Sequence, residues 1–141
     1  MKKNIFVIED DVNISQGLQN QFNILGYNAE VNRGDEMDLE DVIGEIKKTD
    51  AEIVILDLIL PKLDGFEIIK KVRTDEEIRD LYIFVFTDVS DEDSRARGLQ
   101  LGANQYFLKD DFSPIEFAQK VDKIMQNREA MEGGEGNTYQ F

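Results

Sequence analysis

The sequence predicts a doubly wound α/β fold: one sheet of five parallel strands with helices on both faces. Two observations predict it. Five short apolar runs alternate strictly with five stretches whose apolar residues recur at helical spacing. Two of the runs, Ile53 to Leu56 and Leu81 to Phe86, are almost continuously apolar, the pattern of strands buried on both faces. Strict alternation of strand and helix calls for a parallel sheet joined by right-handed crossovers.

Each element has its own signal. Asn4 to Ile8 reads as the first strand. Ile14, Leu18, Phe22 and Leu25 then mark a helix, and Gly26 stops it. Tyr27, Ala29 and Val31 alternate as a strand does. Met37, Leu39, Val42, Ile43 and Ile46 form the second helical stripe, and Ile53 to Leu56 the third strand. Phe66, Ile68, Ile69 and Val72 mark the third helix, and Leu81 to Phe86 the fourth strand. Asp91 to Leu101 is a weak helix with Ala96 and Leu99 as its anchors, and Gln105 to Leu108 is the fifth strand. Ser113, Pro114 and Glu116 open the last helix as N-cap, first-turn proline and capping-box glutamate. Its core face is assigned to Ile115, Phe117, Ala118, Val121, Ile124 and Met125. One domain is expected over residues 1–129, with residues 130–141, Gly-rich and polar, as a flexible tail.

Composition narrows the chemistry. With no cysteine and no histidine, thiolate and imidazole metal sites are excluded, so a metal site must be built from oxygen. That points to Mg²⁺, Mn²⁺ or Ca²⁺. The missing cysteines also fit a reducing, cytoplasmic setting. No apolar run approaches the roughly 18 residues of a membrane helix, and Ile5 to Ile8 is too short for a signal-peptide core. The net charge of −14 repels phosphate backbones, so nucleic acid is not an expected partner of this chain.

In such folds the site lies at the carboxyl ends of the strands. There the sequence places Glu9, Asp10 and Asp11 after the first strand, Asp57 after the third, Thr87 after the fourth and Lys109 after the fifth. Carboxylates gathered there repel, by about 4 kcal/mol per pair at ~4 Å and an effective dielectric near 20. A hard cation relieves this, Lys109 adds fixed positive charge, and Thr87 adds a hydroxyl donor. Together they suit a phosphoryl site in which a carboxylate is the nucleophile. Asp11 could equally serve as a helix cap.

The segments "IFVIEDD", "VILDLILPKLDGFEII", "FVFTD" and "GANQYFLKD" resemble, in order and spacing, the response-regulator receiver domains of two-component signalling. The resemblance covers about Lys2 to Arg128. It implies a flavodoxin-like strand order 2-1-3-4-5 and a phosphoacceptor at Asp57 that takes its phosphoryl group from a partner phosphohistidine. It further implies a Mg²⁺ site of Asp10, Asp57 and the Ile59 backbone carbonyl, with Glu9 indirect. Thr87, Lys109 and Tyr106 become the groups that read the phosphoryl state. The implied partners are a histidine kinase or phosphotransfer protein and a downstream protein, met on the face of the fourth helix, fifth strand and fifth helix. The chain is then a stand-alone receiver and not an enzyme, with at most slow autodephosphorylation.

Two positions depart from the family pattern. Asp110 follows the lysine where a proline is usual, so a trans peptide bond is expected. Asp88 follows Thr87 where a small residue is usual; strand alternation is expected to turn it away from the side Thr87 faces. Ile59 and Val89 are expected to flank the path of the hydrolytic water, and neither can orient it. A docking receiver that is never phosphorylated remains an alternative. An aspartyl-nucleophile phosphatase of the haloacid dehalogenase type is a weaker one, because it needs an acid/base Asp where Ile59 stands.

Overall fold

The computed structural model describes residues 3–133. Ten elements alternate strictly along the chain: β1 Lys3–Ile8, α1 Val12–Ile24, β2 Tyr27–Asn32, α2 Leu39–Lys48, β3 Ile53–Leu56, α3 Gly65–Thr74, β4 Tyr82–Thr87, α4 Glu92–Leu101, β5 Gln105–Leu108 and α5 Pro114–Gly133. All five strands are parallel, in the expected order β2-β1-β3-β4-β5. β1 and β3 are therefore adjacent, with Ile8 beside Leu56, so the residues just past these two strands meet at one edge.

The pleat divides the apolar residues between two cores. Phe6, Ile8, Val54, Leu56, Ile83 and Val85 face α2 and α3. Ile5, Val7, Ile53, Ile55, Phe84 and Phe86 face α1 and α5, where Phe86 stacks on Phe117 at 3.9 Å between ring centroids. Because β1, β3 and β4 are buried on both sides, their ends are held rigidly.

The helix starts are capped as their sequences direct. Asp11, Asp38, Asp64 and Asp91 each accept a backbone N–H of the helix they precede. Ser113 and Glu116 form the expected reciprocal box, at 2.9 and 3.1 Å. Part of the acidic excess is thus spent on the positive ends of helices.

Two expectations need correction. Ala96 and Leu99 do not anchor α4, since both are exposed; the inward strip is Ser94, Gly98 and Leu101, with Gly98 buried. The Tyr106 ring packs against this strip, its edge 3.5 Å from where a Gly98 Cβ would stand, an ordinary van der Waals contact. Ile115 is half-exposed, because Phe117, Ala118, Val121 and Met125 already complete the inward face of α5. Helix α5 runs to Gly133, and residues 134–141 of the expected tail lie outside the described residues. No described helix is long and apolar enough to cross a membrane.

Candidate phosphoryl site

The strand ends converge on a cleft of about 360 Å³ lined by Glu9, Asp10, Asp11, Ile14, Asp57, Ile59, Thr87, Asp88 and Lys109. Asp57 leaves β3 directly, and its N–H still donates to the Ile8 carbonyl at 3.1 Å, so its backbone continues the sheet. Its side chain is 7% exposed and held on both oxygens. The Thr87 hydroxyl donates to Oδ1 at 2.7 Å, and the Lys109 ammonium donates to Oδ2 at 2.7 Å. The Ile59 N–H adds a longer contact to Oδ1, at 3.3 Å. A charge at the end of a buried strand is tolerable because it is paired and hydrogen-bonded.

Lys109 also binds Glu9, whose Oε1 lies 2.8 Å from Nζ. Burial draws the Lys109 pKa down, but the bonds to Asp57 and Glu9 outweigh it and the net shift is upward, so the ammonium is charged at neutral pH. Burial pushes the Glu9 carboxyl up, against the hydrogen bonds from Lys109 and the Asp11 N–H. One carboxylate oxygen each from Glu9, Asp10 and Asp57 lies within 4.8 Å of the others. Asp10 makes no hydrogen bond or ion pair among the described residues. Three carboxylates against one ammonium leave an excess of negative charge on an all-oxygen donor set. That composition fits a hard divalent cation such as Mg²⁺.

Asp11 is accounted for as the cap of α1, with its Oδ1 2.9 Å from the Ile14 N–H, although it also borders the cleft. The Lys109–Asp110 bond is trans, as expected, because no described peptide is cis. Tyr106 is buried against α4, and its hydroxyl donates to the Val89 carbonyl at 2.7 Å. The Arg95 guanidinium stands 5.9 Å from the centre of its ring.

Two placements differ from the sequence reading. Asp88 lines the cleft instead of turning away. The reason is that β4 ends at Thr87, so pleat alternation no longer governs the next residue. Val89 does not line the cleft. Its side chain packs on the core, and its N–H lies 3.4 Å from the Thr87 hydroxyl. Ile59 is in the cleft wall as expected and is 65% exposed.

Sequence reasoning overlooked Gly65 as more than part of a turn. A Cβ there would sit 2.5 Å from the Leu58 Cα and 2.9 Å from the Asp57 carbonyl oxygen. The missing side chain lets α3 close directly onto the loop that carries Asp57. The available signal was the glycine directly after the N-cap Asp64 in "LDG".

The chain matches the family model for the response regulator receiver domain over residues 5–122. It is 33% identical over 132 residues to the alkaline phosphatase synthesis transcriptional regulatory protein PhoP of Bacillus subtilis, covering 92% of this chain and 51% of that protein. It is 31% identical over 125 residues to the probable transcriptional regulator ycf27 of Porphyridium aerugineum, covering 89% and 49%. The chain therefore spans about half the length of these curated relatives. Among solved structures, a BeF3-activated DrrB receiver domain superposes with a TM-score of 0.73 at 25% identity, covering 89% of this chain and 99% of that one. A CheY-like receiver domain protein of Methanospirillum hungatei superposes at 0.78 with 19% identity, covering 95% and 100%, a likeness of fold.

Proposed function

Because the chain belongs to the response regulator receiver domain family, we propose that it accepts a phosphoryl group on Asp57 and passes the signal on through its surface. The observation that carries this is the buried Asp57 carboxylate, held at one oxygen by Thr87 and at the other by Lys109, beside Glu9 and Asp10.

The donor class is the phosphohistidine of a histidine kinase or phosphotransfer protein. An Asp57 oxygen attacks phosphorus, the O–P bond forms, the P–N bond breaks, and the electron pair leaves with the imidazole nitrogen. Thr87 and Lys109 fix the carboxylate beforehand; during transfer their donors can turn to the phosphoryl oxygens without leaving the site. Asp10, Asp57 and the Ile59 carbonyl would hold Mg²⁺ or Mn²⁺, with Glu9 acting indirectly. When bound, the cation supplies charge neutralisation among the carboxylates and phosphoryl oxygens.

The switch reads out through Thr87 and Tyr106. Thr87 touches Asp57, and the Val89 carbonyl, two residues on, holds the Tyr106 hydroxyl. A pull on Thr87 therefore reaches Tyr106 through one short loop. The face of α4, β5 and α5 is the proposed contact surface for a downstream protein. Ile59 offers no group to orient water at the cleft, so the acyl phosphate should be lost slowly, without enzymatic turnover.

Incubation with a small phosphodonor and Mg²⁺, read by intact mass, tests the reading. One added phosphoryl group is expected on the wild type and none on Asp57→Asn. An unchanged gain on Asp57→Asn would overturn it, and so would steady turnover of donor.

A further inference from the structure

We propose that Asp64 is a positioning residue for the divalent cation: by capping α3 it keeps the loop backbone at Ile59 in place. The inference rests on the reading of Asp10, Asp57 and the Ile59 carbonyl as the cation's ligands. Two of these are secured close to strand ends, since Asp57 directly follows β3 and Asp10 lies two residues past β1. Ile59 sits instead in the loop between β3 and α3, and its carbonyl accepts no backbone hydrogen bond among the described residues. What holds this backbone is an isolated antiparallel pair between Ile59 and Asp64. In a pair of this kind the neighbours exchange the hydrogen bond, here from the Gly65 N–H to the Leu58 carbonyl at 3.1 Å. The Ile59 carbonyl is thus held in place yet left open to a ligand role. Asp64 does not line the cleft and is not in the three-carboxylate cluster, so its own carboxylate is not a candidate ligand.

The pairing needs extended backbone, and Asp64 has it, with φ −104° and ψ 118°. Its side chain favours that conformation. Oδ1 accepts the Phe66 N–H at 2.9 Å, the bond of a residue that flanks the helix without joining it. Helix α3 is itself fixed, with Ile68, Ile69 and Val72 in the core. The cap therefore ties the loop to a rigid element. Alanine has no capping oxygen and the strongest helix propensity, so in Asp64→Ala the helix gains by growing back over position 64. A helical residue there cannot stay paired with Ile59. Little else restrains Ile59: Leu60 is buried and Leu63 packs on the core, but Ile59 itself is 65% exposed.

The test is calorimetric titration of Mg²⁺ into wild type, Asp64→Ala, Asp64→Asn and Asp38→Ala, at a temperature where circular dichroism shows all four folded. Asp38 caps α2 in the same way, accepting the Asp41 N–H at 2.9 Å, so Asp38→Ala removes one cap and one charge outside the cleft. Asp64→Ala should weaken Mg²⁺ binding roughly fivefold, less than a direct outer-shell partner because Asp64 acts through the backbone. Asp64→Asn keeps a capping oxygen and should restore affinity to within about twofold of wild type. Asp38→Ala should lower the melting temperature in metal-free buffer about as much as Asp64→Ala does, yet leave Mg²⁺ affinity unchanged. Equal weakening by Asp64→Ala and Asp64→Asn would mean long-range charge and would overturn the positioning role. Equal weakening by Asp64→Ala and Asp38→Ala would mean general loosening and would overturn it as well. If the wild type binds Mg²⁺ and Asp64→Ala binds it as tightly, only the role of Asp64 falls. If the wild type binds no Mg²⁺, the reading of the cation site falls with it.

Discussion

Replacing Lys109 with methionine should destabilise the fold, and the deficit should grow with pH. The substitution keeps most of the stem and removes the ammonium. It leaves the Glu9 and Asp57 side chains, 3% and 7% exposed, without their shared cation. Removing one partner of a buried ion pair costs roughly 3–5 kcal/mol; with the cleft mouth open to water, about 2–3 kcal/mol is expected here. The pH dependence follows from Glu9, whose pKa burial raises above its ordinary 4.5. A carboxyl with a raised folded-state pKa contributes stability that is full below the unfolded value and is lost as pH rises through the folded value. Without Lys109 the folded value moves higher still. The deficit should therefore be smallest near pH 4.5 and largest near neutrality. Urea unfolding in metal-free buffer, followed by circular dichroism at several pH values, measures it as a lowered midpoint at constant slope. Glu9→Gln in the Lys109→Met background should recover a large part of the loss, because one of the uncompensated carboxylates is gone. A deficit below about 0.5 kcal/mol at neutral pH would refute the account, since the cost of a broken buried pair is several times larger. So would an equal deficit at acid and neutral pH.

Four further outcomes are expected from the same geometry. Asp10→Ala should abolish both Mg²⁺ binding, measured by calorimetric titration, and Mg²⁺-dependent phosphorylation, since it removes one of three clustered carboxylates; unchanged binding would shift the ligand role to a neighbour. Ile59→Asn should hasten loss of phosphate from the purified protein, because the new amide can position water in the cleft. Val89→Gln should do so far less, because that side chain packs on the core. Gly65→Ala should lower stability by more than about 2 kcal/mol in thermal unfolding, because its methyl meets the backbone at Leu58 and Asp57, which cannot rotate aside.

The sequence by itself determined the order of the elements, and with it where the candidate site lies. Continuous apolar runs as short as Ile53 to Leu56 read as strands buried on both faces, because they are too short for helices, and their alternation with amphipathic helices points to one topology class. Asp10, Asp57, Thr87 and Lys109 were legible because each directly follows such a run or lies within two residues of its end, and parallel strands present their carboxyl ends together. The helix caps were legible for the same local reason, since a capping side chain bonds to backbone two or three residues away. Tertiary structure alone decided the places where contacts are distant in the chain or local pattern stops. Periodicity weighted Ala96 and Leu99 over Gly98, but the surface that α4 faces is the Tyr106 ring, which meets the helix at Gly98 and leaves Ala96 and Leu99 exposed. Pleat alternation could place Asp88 only while a strand continued, and β4 stops one residue earlier. Once the ladder ends, side-chain direction is set by the loop's own path. That path turned Asp88 toward the cleft and Val89 toward the core.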